Sequence, residues 1–527
     1  MKHSFAGLFF ALCVLCVVKQ TECYRILALV ASPSYSHQIP YRRLWLKLHE
    51  RGHEVVLVTT HPIPGIKSPN FTQIDISQSL SPVREIDFVK MRFDGITWFN
   101  SLEIRFFDMC ADFARNVFED PQMKKLYAPD SNAKFDVFLT EFLYMPSLYA
   151  FAHRYNIPMI ALSSLGTAAI NEHVFRGVVF PSHESTWEME ASTGPNLPFT
   201  KRLSNFLIMW RMMYIFHRDV FPTHQRIAES YLGPLPSMLD IMKNVSAFFI
   251  DQSDILTPAR PKLANVVTFT SFHISENPDP LPKDLQEFID DADAGFIYFS
   301  LGSNVKSADL PTELRRMFCD VFSKLPYRVV WKFETDLEEK PANVYSSKWF
   351  SQQTILAHPK IKLFITQGGL QSTEETIHFG VPVIVFPVIG DQDYQASRVD
   401  ALGFGKRLEI TTVTRDEFES AIQEVITNKE YKERIIRIRS LIRDTPYDLV
   451  ENLIWWTEYI VRSDGAPHLR SSLATQPWYR YCDMDIVVFL TTVTSFVILT
   501  AISLIVRIIA SLRKSWPPTV HQKQKIS

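Results

Sequence analysis

Short apolar runs recur along this chain, and each is followed by residues at helical spacing, a grammar that only parallel strands joined by crossover helices satisfy over such a length. Tyr24–Ala31 is the first run, Ser32–Ser36 a turn-rich loop, Gln38–Glu50 a helical pattern closed by Gly52, and His53–Thr59 a second strand. The pattern repeats at Phe135–Thr140, Met145–Tyr155 and Ile157–Ser164, so the first half is predicted to be a parallel sheet with covering helices. A stretch rich in Pro and Asp at Asn277–Lys283 interrupts it, and strands resume at Gly295–Leu301, Val329–Phe333, Lys362–Thr366 and Val383–Phe386. These predict a second doubly wound α/β domain, whose ligands sit at the carboxyl ends of its strands.

Two domains also suit the length of 527 residues, too many for one hydrophobic core, with 46% hydrophobic and 21% charged residues. A net charge of −2 with no basic block in the body argues against nucleic acid as a partner. Between the halves, Phe199–Phe221 is rich in Leu, Met, Trp, Tyr and Phe; it reads as a core helix, as the wall of an apolar acceptor pocket, or as a surface resting on a membrane.

The ends carry targeting features. Lys2 and His3, an apolar stretch near Leu8–Val18 and small or polar residues near Thr21–Cys23 have the layout of a secretory signal peptide over residues 1–23. Ile486–Val506 is uncharged and long enough to span a bilayer as a helix. Asp483 and Asp485 precede it and Arg507, Arg513 and Lys514 follow, so the positive-inside rule leaves residues 507–527 in the cytosol and the body in the lumen. Lys523 and Lys525 resemble an ER-retrieval dilysine signal. Asn70 and Asn244 lie in glycosylation sequons, and Cys110, Cys319 and Cys482, the cysteines beyond the signal, form no disulfide or metal pattern.

The chemistry concentrates between Trp349 and Gln395. The strand Lys362–Thr366 runs into Gln367-Gly368-Gly369, where two glycines permit close approach of a ligand, and Ser372 with Glu375 forms a capping-box pattern. A helix starting there presents free N–H groups to a diphosphate. Upstream, Trp349 offers a face on which a base can stack and Gln352 a donor–acceptor pair for the base edge. Downstream, Glu375 suits ribose hydroxyls, while Asp391 and Gln392 at a strand's carboxyl end suit those of a sugar.

In this order the segment resembles the signature of the UDP-glycosyltransferase family that includes the animal UDP-glucuronosyltransferases, and the resemblance runs from the signal to the C-terminal span. Gln367 stands where vertebrate members usually carry His, and Gln371 where they carry Asn; Q-G-G-L-Q-S and Gly465–Arg470 look like the arthropod form. The resemblance implies a GT-B fold of two facing Rossmann-like domains plus a C-terminal transmembrane helix. Residues 24–280 would hold the acceptor and 281–445 the UDP-sugar; 446–485 would return to the first domain and lead into the span at 486–506. It further implies that Trp349 and Gln352 meet uracil and Glu375 the ribose, that Asp391 and Gln392 meet the transferred sugar, and that Gln367, Gly368, Gly369, Gln371, Ser372 and Ser303 surround the diphosphate.

The family's base matches His37, in the loop after the first strand; an imidazole can take a proton near neutral pH. The family's orienting Asp is replaced by Glu141, and Asp136 is read as structural. An inverting transfer follows, in which His37 deprotonates an acceptor hydroxyl that attacks the anomeric carbon. No cofactor is called for, the UDP-sugar being the donor co-substrate, and no metal, since no Asp-x-Asp pair stands ready to hold one. The arthropod resemblance favours UDP-glucose over UDP-glucuronate; the acceptor is expected to be a small lipophilic molecule, and a homo-oligomer is allowed. The competing reading is a non-catalytic carrier of hydrophobic ligands that keeps the fold.

Overall fold

A computed structural model of the chain describes residues 23–78, 86–96, 106–177, 182–183, 186–189, 196–275 and 278–515. The signal segment up to Glu22, Asn277 and the Lys523–Lys525 pair lie outside the described residues.

Two all-parallel sheets organise the first compact unit, which ends at Arg470. The first comprises β1 (Arg25–Val30), β2 (Glu54–Thr59), β3 (Phe71–Asp75), β4 (Val137–Glu141), β5 (Met159–Ser163), β6 (Ala247–Asp251) and β7 (Val266–Phe269), in the order β3-β2-β1-β4-β5-β6-β7. The second comprises β8 (Phe296–Ser300), β9 (Arg328–Lys332), β10 (Val344–Ser347), β11 (Ile361–Thr366), β12 (Val383–Val385) and β13 (Gly405–Arg407), in the order β10-β9-β8-β11-β12-β13. Central strands such as β4, β5 and β8 are buried along their whole length, as strands covered by helices on both faces must be. Leu285 and Ile289, in the helix Lys283–Asp290, already pack in the core of the second sheet.

Strand order reverses between β1 and β4 in the first sheet and between β8 and β11 in the second. Loops diverge at such points and leave a crevice at the carboxyl ends of the strands. After β1 comes α1 (Tyr35–Glu50), and after β3 the short α2 (Phe88–Phe93). The α3 helix (Phe199–Ile215) corresponds to the Met- and Trp-rich segment, but it is not a fully buried core helix: Met209, Met212 and Met213 are buried while Phe199, Leu203, Phe206, Leu207 and Tyr214 are exposed.

In the second half, α4 (Leu370–Phe379) follows β11 and α5 (Gln392–Leu402) follows β12. The α6 helix (Leu449–Arg462) then returns to the first sheet, where Val450, Leu453, Ile454 and Ile460 pack with Leu44, Trp45 and Leu48 of α1. Asp448 caps it by accepting from Val450 N and Glu451 N, and His53 lies 3.3 Å from Glu458.

The second compact unit, Ser471 onward, contains α7 (Met484–Ser515). With a mean hydropathy of 2.3 over its most apolar 18 residues and no buried residue, α7 is long and apolar enough to cross a membrane. The apolar run at Ile486–Val506 is thus the middle of a longer helix that continues through Arg507, Arg513 and Lys514.

Five strands were not anticipated from the sequence: β3, β6, β7, β10 and β13. Three of them are edge strands whose burial is intermittent, and β13 is the remaining edge. Half-wet strands lack the continuous apolar signal of central ones.

Candidate active site

Both reversal points open into one cleft of about 2040 Å³, lined by His37 from the first sheet and by Ser303, Trp349, Gln352, Gln367, Gly369, Gln371, Ser372, Glu375, Asp391 and Gln392 from the second. Among the predicted site residues, Gly368 and Glu141 stand behind this lining.

His37 is not in a loop, as its position after β1 suggested, but in the first turn of α1, where its N–H bonds to Ser34 O. Helical geometry fixes the ring's direction more tightly than a loop would. Its Nδ1 lies 2.9 Å from Glu141 Oε1 and 2.8 Å from Ser164 Oγ, and the Ser164 hydroxyl donates to the same Glu141 oxygen. A carboxylate accepts only, so Nδ1 carries the proton and Nε2 is left as the basic nitrogen. Tyr41 OH approaches Glu141 Oε1 at 3.4 Å, while Oε2 is buried without a hydrogen-bond partner. Asp136 instead accepts from Arg25 N at 2.7 Å, a structural tie between β1 and the start of β4.

Facing these groups, Gly369 is the N-cap of α4, which begins at Leu370. The capping box expected from Ser372 and Glu375 does not form: no side chain caps the helix, and both residues lie inside it. Their side chains are drawn elsewhere. Gln352 Nε2 donates to Ser372 Oγ at 3.0 Å and to Glu375 Oε2 at 2.5 Å, and Gln353 Nε2 donates to Glu375 Oε1 at 2.9 Å. The N–H groups of Gln371 and Ser372 in the first helical turn therefore have neither an intrahelical acceptor nor a capping side chain. The Gln371 side chain turns away from them, donating to Ser164 O at 2.9 Å across the seam between the two sheets.

Gly368 (φ +83°) and Gly302 (φ +79°) adopt left-handed backbone at the two strand ends, and a Cβ on Gly302 would lie 2.2 Å from Gln367 Nε2. Gln367 is buried against that glycine, with its Oε1 unpartnered. Trp349 is 57% exposed; Lys332 Nζ stands 5.6 Å from its ring centre and Tyr35 meets it edge-on.

Asp391 and Gln392 start α5. Gln392 Oε1 accepts from Val388 N and Ile389 N at 2.9 and 2.8 Å, which pins the turn. Burial pushes the Asp391 carboxyl from an ordinary 3.8 up to about 6, against the opposing pull of the His37 charge and of hydrogen bonds including Gln395 and Leu370 N–H. His37, from the first sheet, and Asp391, from the second, both line the cleft.

Nothing in the sequence singled out Ser164, Gln353, His273 or Glu374. Ser164 follows β5 just as Glu141 ends β4, so the strand-end rule points to it. His273, beyond β7, lies 3.5 Å from both Glu374 and Glu375, and although burial alone would lower its pKa, those carboxylates raise it.

Residues 27–515 match the model of the family described as UDP-glucoronosyl and UDP-glucosyl transferase. Over 495 residues the chain is 31% identical to UDP-glycosyltransferase UGT5 of Dactylopius coccus, covering 90% of each chain. It is 27% identical to human UDP-glucuronosyltransferase 1A3, covering 87% of this chain and 86% of that one. Among solved structures, the glycotransferase of kitacinnamycin superposes with a TM-score of 0.56 at 19% identity, covering 84% of this chain and all of its own (100%). The glycosyltransferase VinC in complex with DTDP gives 0.55 at 16% identity, covering 83% and 100%.

Proposed function

Because the chain belongs to the UDP-glucoronosyl and UDP-glucosyl transferase family, and is thus a glycosyltransferase of GT-B fold, we propose that it moves glucose from UDP-glucose onto hydroxyl groups of small lipophilic acceptors with inversion. The observation that carries this reading is the His37–Glu141 pair standing across the cleft from Asp391 and the N-terminus of α4.

In this reading His37 Nε2 removes the acceptor's hydroxyl proton as that oxygen attacks the anomeric carbon. The bond from that carbon to the diphosphate oxygen breaks on the opposite face, so the configuration inverts. Glu141 stabilises the imidazolium through Nδ1–H, and its unpartnered Oε2 keeps further negative charge beside the ring. UDP departs against the N–H groups of Gln371 and Ser372, which have no intrahelical acceptor and meet the developing charge without reorganising. Uracil stacks on Trp349, and the ribose meets Glu375, held in place by Gln352 and Gln353.

Glucose is favoured over glucuronate on electrostatic grounds. Asp391 is ionised above about pH 6 and would repel a sugar carboxylate. The guanidinium groups of Arg92 and Arg407, which reach the adjacent Asp393, are both committed to it. The α7 helix serves as a membrane anchor, and the acidic residues before it and basic residues after it favour a lumenal ER body.

A panel of UDP-sugars and phenolic or alcoholic acceptors on microsomes carrying the chain, read by released UDP, tests the reading. Acceptor-dependent UDP release is expected with UDP-glucose and not with UDP-glucuronate, and His37→Ala should abolish it. UDP-sugar binding without turnover on any acceptor would refute it.

A further inference from the structure

Between β3 and the helix Phe107–Glu119 the chain leaves the first sheet and sends α2 against the second domain. Val89, 2% exposed, packs in the core built by Ile297, Phe299, Val388 and Leu408, with Phe88 beside it. Asp87 caps the helix by accepting from Lys90 N at 2.8 Å. Its last turn carries Arg92, whose Nη1 and Nη2 fork onto Asp393 at 2.8 and 3.1 Å while Nε and Nη2 reach Glu409 at 3.2 and 2.6 Å. Arg407 adds a bond to Asp393 at 2.6 Å.

Asp393 adjoins Gln392. The turn carrying Asp391 and Gln392 is therefore fastened at one end by Gln392 to its own backbone and at the other, through Asp393, to a side chain of the opposite domain. A surface ion pair contributes little, but here the Arg92 side chain is four-fifths buried, Asp393 more so, and one planar cation pairs with two carboxylates, the arrangement in which geometry as well as charge is specified. Residues around Arg92, among them Asp87, Phe88 and Met91, line the cleft itself.

We propose that Arg92 is a positioning residue for the transferred sugar: by forking onto Asp393 and Glu409 it sets Asp391 and Gln392 opposite His37 and ties donor alignment to the registration of the two domains. This rests on the reading of Asp391 and Gln392 as the sugar contacts. The uracil end, at Trp349 and Gln352, is built without Arg92. Loss of the fork thus weakens the grip on the sugar and leaves the grip on the nucleotide intact. A sugar free to tilt is also exposed to water, and hydrolysis gains on transfer.

The test compares the wild-type full chain in microsomes with Arg92→Ala and Arg92→Lys, measuring KM for UDP-glucose, kcat, the affinity for free UDP, and the ratio of free glucose to glucoside formed. Wild-type acceptor-dependent turnover is established first, since its absence would sink the functional reading rather than this proposal. For Arg92→Ala, kcat/KM for UDP-glucose is expected to fall about 100-fold, the cost of misplacing a reacting group by about an ångström. Affinity for UDP should stay within twofold and the hydrolysis ratio should rise severalfold. Arg92→Lys, a point charge that cannot fork, is expected to lie between; if Arg92→Ala does not accumulate, the same ratios in Arg92→Lys decide. UDP and UDP-glucose affinities that fall in equal proportion, or a kcat/KM and hydrolysis ratio within twofold of wild type, would overturn the proposal.

Discussion

Asp391 offers a stability measurement that reads directly on the site. Its carboxyl is buried and its pKa stands at about 6 in the folded chain against an ordinary 3.8. A carboxyl raised in this way costs nothing while both states are protonated. Its penalty develops as pH climbs from the unfolded value toward the folded one, and is complete above about 6. At about 1.4 kcal/mol per pH unit the full penalty is about 3 kcal/mol; at pH 4.5 it is about 1 kcal/mol. Asp391→Asn removes the charge and keeps an acceptor for Gln395 or Leu370 N–H. The stability of the variant relative to wild type should therefore improve by about 2 kcal/mol between pH 4.5 and pH 7.5. For a unit of this size, with an unfolding entropy of about 2.1 cal/mol/K per residue, this is a relative rise in Tm of about 2 °C. Thermal melts of the detergent-solubilised full chain at the two pH values measure it, and the subtraction cancels any fixed packing cost of the amide. Transfer should be lost in the same variant, since an amide accepts sugar hydroxyls more weakly than a carboxylate. A Tm difference that does not change with pH, or that moves against the variant as pH rises, would refute the assignment of a destabilising buried charge here.

Other predictions follow from the same geometry. Glu141→Gln should lower kcat about 100-fold or more with little change in KM for the donor, since the amide can hold the wrong imidazole tautomer; single-turnover kinetics with saturating UDP-glucose check it. Trp349→Ala should raise KM for UDP-glucose about 10-fold and weaken free UDP equally, because stacking on a base is worth roughly 1–3 kcal/mol, as titration with UDP would report. Gly302→Ala should lower donor affinity and stability together, because a Cβ 2.2 Å from Gln367 Nε2 must displace that side chain while φ stays at +79°. Unchanged melting and UDP affinity in that variant would show that the loop moves freely.

How far the sequence reached depended on how local each feature is. Although β6, central and buried throughout, was missed, most central strands and the α4 turn were legible because continuous burial and a glycine pair leave marks within a few residues. The edge strands β3, β7 and β10 were not, having one neighbour each and interrupted burial. Ser372 and Glu375 matched a capping pattern, yet Gln352 and Gln353 claim their side chains, and nothing at the spacing itself records that competition. His37 was singled out by its place after β1 together with the family resemblance, and its helical setting was not foreseen. Ser164 and Arg92 owe their roles to partners 127 and 301 residues away, a separation that no periodicity encodes.

That distance has a mechanical consequence centred on α4. The helix proposed to meet the diphosphate also reaches back to the first domain at three points. Gln371 donates to Ser164 O, Glu374 accepts from Ser271 N at 3.0 Å and from the Thr270 hydroxyl, and Gln371 O lies 3.2 Å from His273 Nε2. Ser164 in turn bonds both His37 and Glu141. Burial raises the Glu374 carboxyl, and the neighbouring Asp251, both oxygens of which lack a hydrogen-bond partner, is raised well above the usual carboxylate range by burial and by Glu374. Two such carboxyls side by side at a seam are tolerated when a proton is retained between them, since burial and mutual repulsion both disfavour the doubly charged state. Separation of the domains would break the Gln371 bond to Ser164, and with it the link between the donor helix and the loop that orients the base. On the proposed function, base and leaving-group site are therefore aligned through the same seam, and breaking it with Gln371→Ala is expected to lower transfer more than affinity for free UDP.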